Sequence, residues 1–324
     1  MAAIETDALT KYYGDVRGIE DVSLTVERGE VFGYLGPNGA GKSTTIETLL
    51  GFLHPTSGAA TVLGYDVREE AEALAARERI GYLPDSPAFP ADRTGAELLA
   101  HHARLRGDER SDELLELFEP PLDRPVGDYS RGNRQKLAVV LAFMHDPDLA
   151  VMDEPTSGLD PLLQERFYEF LERETATGTT VFFSSHILGE VRRVCDRVGI
   201  VREGHLVEVA GVEELLERSG TVVRLRTPEP LAPARVDLEG VHDLATDEVT
   251  TFTYTGEVDA LVDWLAGLDV LDLEITEAPL EDVFMRFYGE GAGDGRADGD
   301  GSREATGPKG ASGPTAAVEG GDSS

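Results

Sequence analysis

The sequence predicts an α/β chain made of one large unit, one small unit and an unstructured tail. Three observations carry that reading. Over residues 4–216, short apolar runs bounded by Gly, Pro and Asp alternate with longer stretches of helical period, the pattern of an open α/β sheet. Over residues 220–288 the same signals recur on a smaller scale, with strand-like runs at 222–225, 249–254 and 271–275. Helical stripes accompany them, Leu261, Val262, Leu265 and Leu268 and then Leu280, Val283, Phe284 and Phe287, so a small α/β domain is expected there. From 289 to 324 Gly, Ala, Ser, Asp and Pro dominate without one aromatic side chain; this acidic tail cannot bury enough surface to offset its chain entropy and is expected to be disordered.

Charge and composition narrow the function. The 324 residues carry 29 Lys+Arg against 62 Asp+Glu, a net charge of −33. So negative a surface repels phosphate backbones and no local basic patch offsets it, so nucleic acid is not an expected partner. Lysine occurs only at Lys11, Lys42, Lys136 and Lys309, while acidic residues fill nearly every segment. That balance suits concentrated salt, where self-repulsion is screened and excess charge maintains solubility, and it predicts a halophilic protein. The longest apolar stretch, 137–144, stops at His145 and Asp146, well short of the ~18 residues a membrane helix needs. The start, Met-Ala-Ala-Ile-Glu-Thr-Asp, lacks a basic and apolar leader, so a cytoplasmic location is expected. A single cysteine, Cys195, excludes an internal disulfide or a multi-Cys metal centre and reads as a small buried hydrophobe.

The first motif lies at the head of the large unit. Gly36, Pro37, Asn38, Gly39, Ala40, Gly41, Lys42, Ser43 and Thr44 follow the strand-like run 31–35 and precede a helical run at 45–53. This is the Gly-x-x-x-x-Gly-Lys-Ser/Thr pattern in its required context. Glycines let successive backbone N–H groups point inward at phosphates, and the helix start adds its positive end. Lys42 then reaches the β- and γ-phosphates, and the Ser43 hydroxyl is a magnesium ligand.

Two further motifs complete the chemistry. The apolar run 149–152 ends in Asp153 and Glu154. A buried parallel strand would deliver Asp153 at its carboxyl end, opposite Ser43, as a second magnesium ligand. Glu154, displaced by one residue, is placed to accept a proton from an attacking water. Upstream, Tyr129-Ser130-Arg131-Gly132-Asn133 precedes the apolar helix 137–144, so Ser130 and Gly132 stand at a helix start with a hydroxyl and free N–H groups to offer an anion.

In this order, the phosphate loop, the Ser-x-Gly helix start, the run Asp153-Glu154-Pro-Thr-Ser-Gly-Leu-Asp160 and Ser-Ser-His186 make the chain resemble the nucleotide-binding subunit of ATP-binding cassette (ABC) transporters over residues 1–216. The resemblance implies ATP and Mg²⁺ as ligands, with Glu154, His186 and Lys42 as the catalytic set. His186 matches the family's γ-phosphate histidine, and Tyr13, beside Tyr12, the aromatic that stacks on adenine. Residues 157–160, ending at Asp160, match the loop that crosses the dimer interface. Two departures stand out. The signature reads Tyr-Ser-Arg-Gly-Asn where Leu-Ser-Gly-Gly-Gln is commoner, and Asp85, in Ile-Gly-Tyr-Leu-Pro-Asp, stands where the family usually has the glutamine that senses magnesium.

The resemblance further implies two chains, a homodimer or a paired cassette, sandwiching two ATP molecules, with Ser130 and Gly132 closing over the nucleotide of the opposite chain. It implies a separate membrane permease on which a helical subdomain at about 91–145 docks, and hence a peripheral place at the inner face of the cell membrane. Pro279-Leu-Glu-Asp-Val-Phe284 resembles the ending of the ABC-2-type exporter ATPases, and the small domain is expected to stabilise the dimer. The alternative is a soluble ABC-type ATPase uncoupled from transport; the two cassettes per chain or long coiled coils typical of that class are not found in this sequence.

Overall fold

The computed structural model describes residues 2–277, and the expected helix at 280–287 and the tail at 289–324 lie outside them. The chain opens with β1 (Ala2–Tyr13), which turns at Gly14, φ 62°, into the antiparallel β2 (Val16–Val22). β3 (Thr25–Glu27) also pairs with β1. The apolar run then forms β4 (Val31–Leu35), buried at every residue, and α1 (Lys42–Leu49) follows the glycine-rich loop. The hairpin β5 (Ser57–Val62) and β6 (Tyr65–Asp66) returns to the first sheet, whose order is β2-β1-β5-β6 with β3 beside β1.

Here the structure corrects the expectation of one open sheet. Residues before 28 and between 57 and 66 make a separate antiparallel sheet: Gly14 and Gly64 close the tight turns of its hairpins β1–β2 and β5–β6, and β5 returns to β1 after β4 and α1. The helix after the phosphate loop also starts three residues earlier than its apolar period suggests. Gly41, φ 106°, turns the chain into it at Lys42, and Leu50 and Gly51 end it.

The rest of the large unit alternates as expected: α2 (Glu70–Glu78), β7 (Ile80–Leu83), α3 (Gly95–Arg106), α4 (Ser111–Phe118), α5 (Arg131–Phe143), β8 (Leu149–Asp153), α6 (Pro161–Thr177), β9 (Thr180–Ser185), α7 (Leu188–Val194), β10 (Arg197–Arg202), β11 (His205–Gly211) and α8 (Val212–Ser219). The central sheet runs β11-β10-β4-β9-β8-β7, parallel except for the edge strand β11. Alternation along these strands divides the core in two. Phe32, Tyr34, Leu149, Val151 and Phe182 face the antiparallel sheet and α1, while Leu35, Met152, Val181 and Phe183 face the helices. Burying each such aromatic contributes roughly 2–3 kcal/mol, which fixes the register of the strands that carry the site.

Three helices, α3, α4 and α5, pack together on the helix side of the core. Thr94 and Glu97 close a capping box at the start of α3. Phe118, Phe143 and Phe170 stack edge to face at 5.3 and 4.8 Å, seating α4 and α5 on α6. Arg110 adds a bidentate grip on the buried Glu174 at 2.7 and 2.8 Å.

A third sheet, β13-β14-β12-β15, follows: β12 (Thr221–Arg226), β13 (Val241–Thr246), β14 (Thr250–Tyr254) and β15 (Asp272–Glu277), all antiparallel, with α9 (Val258–Ala266) packing Trp264 on Phe252 at 5.8 Å. β13 was not expected from the sequence; it is an edge strand whose bulge at Asp243, φ 52°, breaks the alternation of its apolar residues Val241, Leu244 and Ala245. No helix among the described residues is long and apolar enough to cross a membrane. Cys195 is buried, and burial pushes its thiol up.

Candidate active site

Four parallel strands deliver their carboxyl ends to one edge of the central sheet, the place where open α/β sheets bind ligands. β4 leads into the glycine-rich loop, β7 into Pro84-Asp85, β8 ends on Asp153 and is followed by Glu154, and β9 ends before His186. Between them lies a cleft of ≈ 360 Å³ lined by Tyr13, Pro37, Asn38, Gly39, Gly41, Lys42, Ser43, Thr44, Asp85, Asp153 and Glu154. Gly36 and Ala40 form the buried back of the loop. A Cβ on Gly36 would stand 2.4 Å from the Val201 carbonyl oxygen, so only glycine lets the chain pass there. Gly39, φ 81°, has open space on its Cβ side.

The charged groups of the cleft are interlocked. Lys42, 7% exposed, donates to the Gly36 carbonyl at 2.7 Å and stands 3.2 Å from Glu154 Oε1. That second contact is an ion pair without hydrogen-bond alignment, so Oε1 is buried and accepts no hydrogen. Glu154 reaches this position because its backbone turns left-handed, φ 49°, a conformation unfavourable for a side chain this long. Its other oxygen, Oε2, lies 2.8 Å from His186 Nδ1. Ser43 Oγ donates to Asp153 Oδ2 at 2.9 Å, and Ser184 Oγ donates to Asp153 Oδ1. Burial and then the Asp153 charge push the Tyr82 hydroxyl, behind the cleft, up to about 12.

This set fits a magnesium-bound nucleoside triphosphate. The first turn of α1 has N–H groups with no helical acceptor, and Gly41 has no side chain to cap them. Ser43 and Asp153 present two hard oxygens side by side, the donor type magnesium takes. Glu154 lines the same cleft, and its Oε1, in ion-pair contact with Lys42, still has its hydrogen-bond capacity unused. Of the two tyrosines, Tyr12 is tied to Glu20 at 2.9 Å, whereas Tyr13, 46% exposed, lines the cleft with its hydroxyl 3.4 Å from Thr44.

Ser130, Gly132 and Asp160 lie outside the cleft, and Asp85 stands on its wall. Ser130 caps α5 and accepts from the Asn133 amide at 3.2 Å. Gly132 passes so near the next loop that a Cβ would stand 2.7 Å from the Gly158 carbonyl oxygen. Asp160 caps α6 by accepting from Leu163 at 3.1 Å. Asp85, at the cleft wall, pairs with Arg131 at 2.9 Å.

Sequence reasoning missed the residues that hold these loops in place. Glu190, 5% exposed, accepts from Thr156 Oγ1 and, at 2.6 Å, from Ser185 Oγ, tying the loop after Glu154 to the strand end before His186. Gln135 Nε2 donates to the Pro155 carbonyl at 2.7 Å. A signal for Glu190 was present: it shares a helix face with Val194, four residues on, where an apolar residue is expected.

Comparison with known proteins agrees with this geometry. Residues 19–157 match the family model described as ABC transporter. The chain is 33% identical over 304 residues to a bacitracin transport ATP-binding protein of Bacillus licheniformis, covering 89% of this chain and 98% of the relative. It is 34% identical over 306 residues to a Nod factor export ATP-binding protein of Burkholderia lata, covering 91% and 99%. Among solved structures, an ATP-binding subunit of an ABC transporter superposes with a TM-score of 0.62 at 31% identity, over 67% of this chain and 92% of that one. With the cleft of β4, β8 and β9 in place and near-complete coverage of such relatives, the chain belongs to the ATP-hydrolysing, ATP-binding subunits of ABC transporters.

Proposed function

We propose that this subunit drives export through a separate membrane permease, working as a pair of cassettes that sandwich two ATP molecules. The observation that carries the hydrolytic half is the chain of contacts from Lys42 through Glu154 to His186, at 3.2 and 2.8 Å. Lys42 exchanges its carbonyl and carboxylate partners for the β- and γ-phosphates. Glu154 Oε1 then accepts the proton of the attacking water, while His186 holds Oε2 and orients the carboxylate. Ser43 and Asp153 are the residues that would hold Mg²⁺, with Asp85 nearby for a metal-bound water; the ion supplies charge neutralisation on the transferring phosphoryl group. Tyr13 offers its ring to the adenine. Ser130 and Gly132 point their helix start at the nucleotide of the opposite cassette, and residues 157–160 lie along the same interface.

Export is supported by the relative named for Nod factor export, and the ABC-2-type branch by the sequence Pro279-Leu-Glu-Asp-Val-Phe284. For the permease we assign the apolar groove of ≈ 510 Å³ between α2, β7, α3 and α5, whose rim includes the exposed Phe52, Leu74 and Leu105. Its occupant is a cytoplasmic amphipathic helix of the permease. Pro84 and Pro87 line the groove on either side of Asp85, so a docked helix presses on the cleft wall. This docking places the subunit at the cytoplasmic face of the membrane. The net charge of −33 supports a halophilic setting, so strong potassium chloride is the proper assay medium.

The test is Glu154→Gln in the full-length chain. Phosphate release is expected to fall by roughly 10²–10⁴-fold while ATP still binds and drives dimerisation. A wild-type rate in that variant would remove Glu154 from its role.

A further inference from the structure

Asp85 belongs to the wall of this chain's own cleft, and Arg131 to the helix start that this chain presents outward. They meet: Arg131 Nη2 donates to Asp85 Oδ1 at 2.9 Å, and Ser86 Oγ donates to Oδ2 at 3.1 Å. The alkyl part of Arg131 lies across the loop at Gly158, where a Cβ would come within 2.9 Å of Arg131 Cγ and Cδ. The side chain therefore packs along the 157–160 loop, with its guanidinium at Asp85. Both groups are open to water, at 57% and 44% exposure, so the pair is weak and can be exchanged for a stronger one.

The position of the cation is unusual. Arg131 is the first residue of α5, and no acidic residue stands in that turn. A positive charge there opposes the helix dipole, so it needs an anion close by. In the single chain that anion is Asp85. In the two-cassette arrangement of the proposed function, on which this inference rests, the neighbours Ser130 and Gly132 face a triphosphate. A γ-phosphate offers a guanidinium a doubly anionic, bidentate acceptor in place of one solvated carboxylate oxygen.

We propose that Arg131 is a two-position ligand, latched to Asp85 of its own chain when the cassettes are apart and bound to the γ-phosphate of the opposite chain's ATP when they close. The latch links the two nucleotide sites. Whatever draws Asp85 into its own filled cleft releases Arg131 for the other site, so occupancy of one cleft prepares the lid of the second. A merely structural ion pair has a different signature, because removal of either partner then has the same consequence.

The experiment uses full-length chain carrying Glu154→Gln, with ATP-driven dimerisation followed by sedimentation in strong potassium chloride with magnesium. Adding Arg131→Gln is expected to raise the ATP concentration at half-dimerisation by about tenfold, through loss of a charge-assisted contact. Adding Asp85→Asn is expected to lower it by about threefold, because the latch is gone and Arg131 remains. With Arg131→Gln already present, Asp85→Asn is expected to change nothing further. Shifts of both single changes in the same direction, or no shift in either, overturn the inference while leaving the sandwich intact. A Glu154→Gln chain that binds ATP yet stays monomeric at every concentration overturns the sandwich, and this inference with it.

Discussion

The starts of α1 and α5 offer the same chemistry, a helix N-terminus preceded by a glycine or serine turn, yet they differ in how complete they are. At α1 the surroundings are finished within one chain. Lys42 is 7% exposed and held by a carbonyl, Ser43 is bonded to Asp153, and Glu154 spans Lys42 and His186. At α5 the Ser130 hydroxyl is engaged by its own helix, Gly132 lies against the Gly158 carbonyl, and Arg131, more than half exposed, has only the solvated Asp85 as its partner. The parallel sheet explains the difference: β4, β8 and β9 end around α1 with buried partners, whereas the start of α5 meets only the exposed Asp85 that follows β7. A helix start with no second wall has its use at an interface, where another chain provides the wall.

The largest expected effect tests that division directly. Lys42→Ala disables the cleft, and Ser130→Asp disables the lid while keeping a good helix cap. Each variant alone is expected to lose about 10²-fold or more in phosphate release, because each retains only one half of either site. Mixed in equal amounts, half of the dimers pair an intact cleft with an intact lid at one of two sites, so about a quarter of the wild-type rate is expected to return. A mixture no more active than its parents would show that one chain completes its own site.

A smaller effect is expected behind the cleft, at Glu190, which joins the Thr156 loop on the lid side to Ser185 on the cleft side. Glu190→Ala leaves two buried hydroxyls short of an acceptor, at about 1–3 kcal/mol in stability. Its kcat is expected to fall about tenfold, since the loops that carry Glu154 and His186 lose their common anchor, with KM for ATP within about twofold because Lys42 and the glycine loop are untouched. Glu190→Gln keeps one acceptor oxygen and is expected to restore most of the rate. Equal losses in kcat and in ATP binding for Glu190→Ala would instead assign it a role in holding the fold alone.

The same contrast explains what was legible in the sequence. The cleft residues sit on contiguous motifs whose spacing is set by one loop or one strand end, so Gly36 to Thr44 and Asp153-Glu154 could be placed on their elements before the structure. Two of the strand ends that gather them were legible too, because β4 and β8 open on continuous apolar runs; β9, Thr-Val-Phe-Phe-Ser-Ser, has only three apolar residues between hydroxyls and was not. The separate antiparallel sheet was not, since its strands alternate with turns that look the same whichever sheet they join. Nor were the Asp85–Arg131 and Glu190–Thr156 contacts. Those pair residues 46 and 34 positions apart through tertiary packing, which leaves no period along the chain.

The smallest effect lies at the far end of the lid helix. His145, just past the end of α5, is half-buried; its Nδ1 has no partner and its Nε2 lies 3.4 Å from Arg106 Nη1. Burial first, and then the Arg106 charge, push its pKa down to about 4; the Ile80 carbonyl opposes them, and His102 and Asp146 add smaller effects of opposite sign. His102 is lowered for the same leading reason. Below pH 6.5 the unfolded chain takes up a proton that the folded ring refuses, so this group lowers stability as pH falls from about 6.5 toward 4 and has no effect above about 7. Allowing for water around a half-exposed ring, the loss is about 1 kcal/mol or less by pH 5. Arg106 also donates to the Ile80 carbonyl at 2.9 Å, so a charged His145 disturbs the seat of α3 on β7 before it disturbs the cleft. Hydrogen-exchange protection, corrected for the intrinsic pH dependence of the amide rate, is therefore expected to fall first in α3 and the end of α5 between pH 7 and pH 5, with α1 and β8 unchanged, and His145→Asn is expected to remove that fall. Protection that falls equally in α1 and α5 would show that the lid helix and the cleft open as one unit.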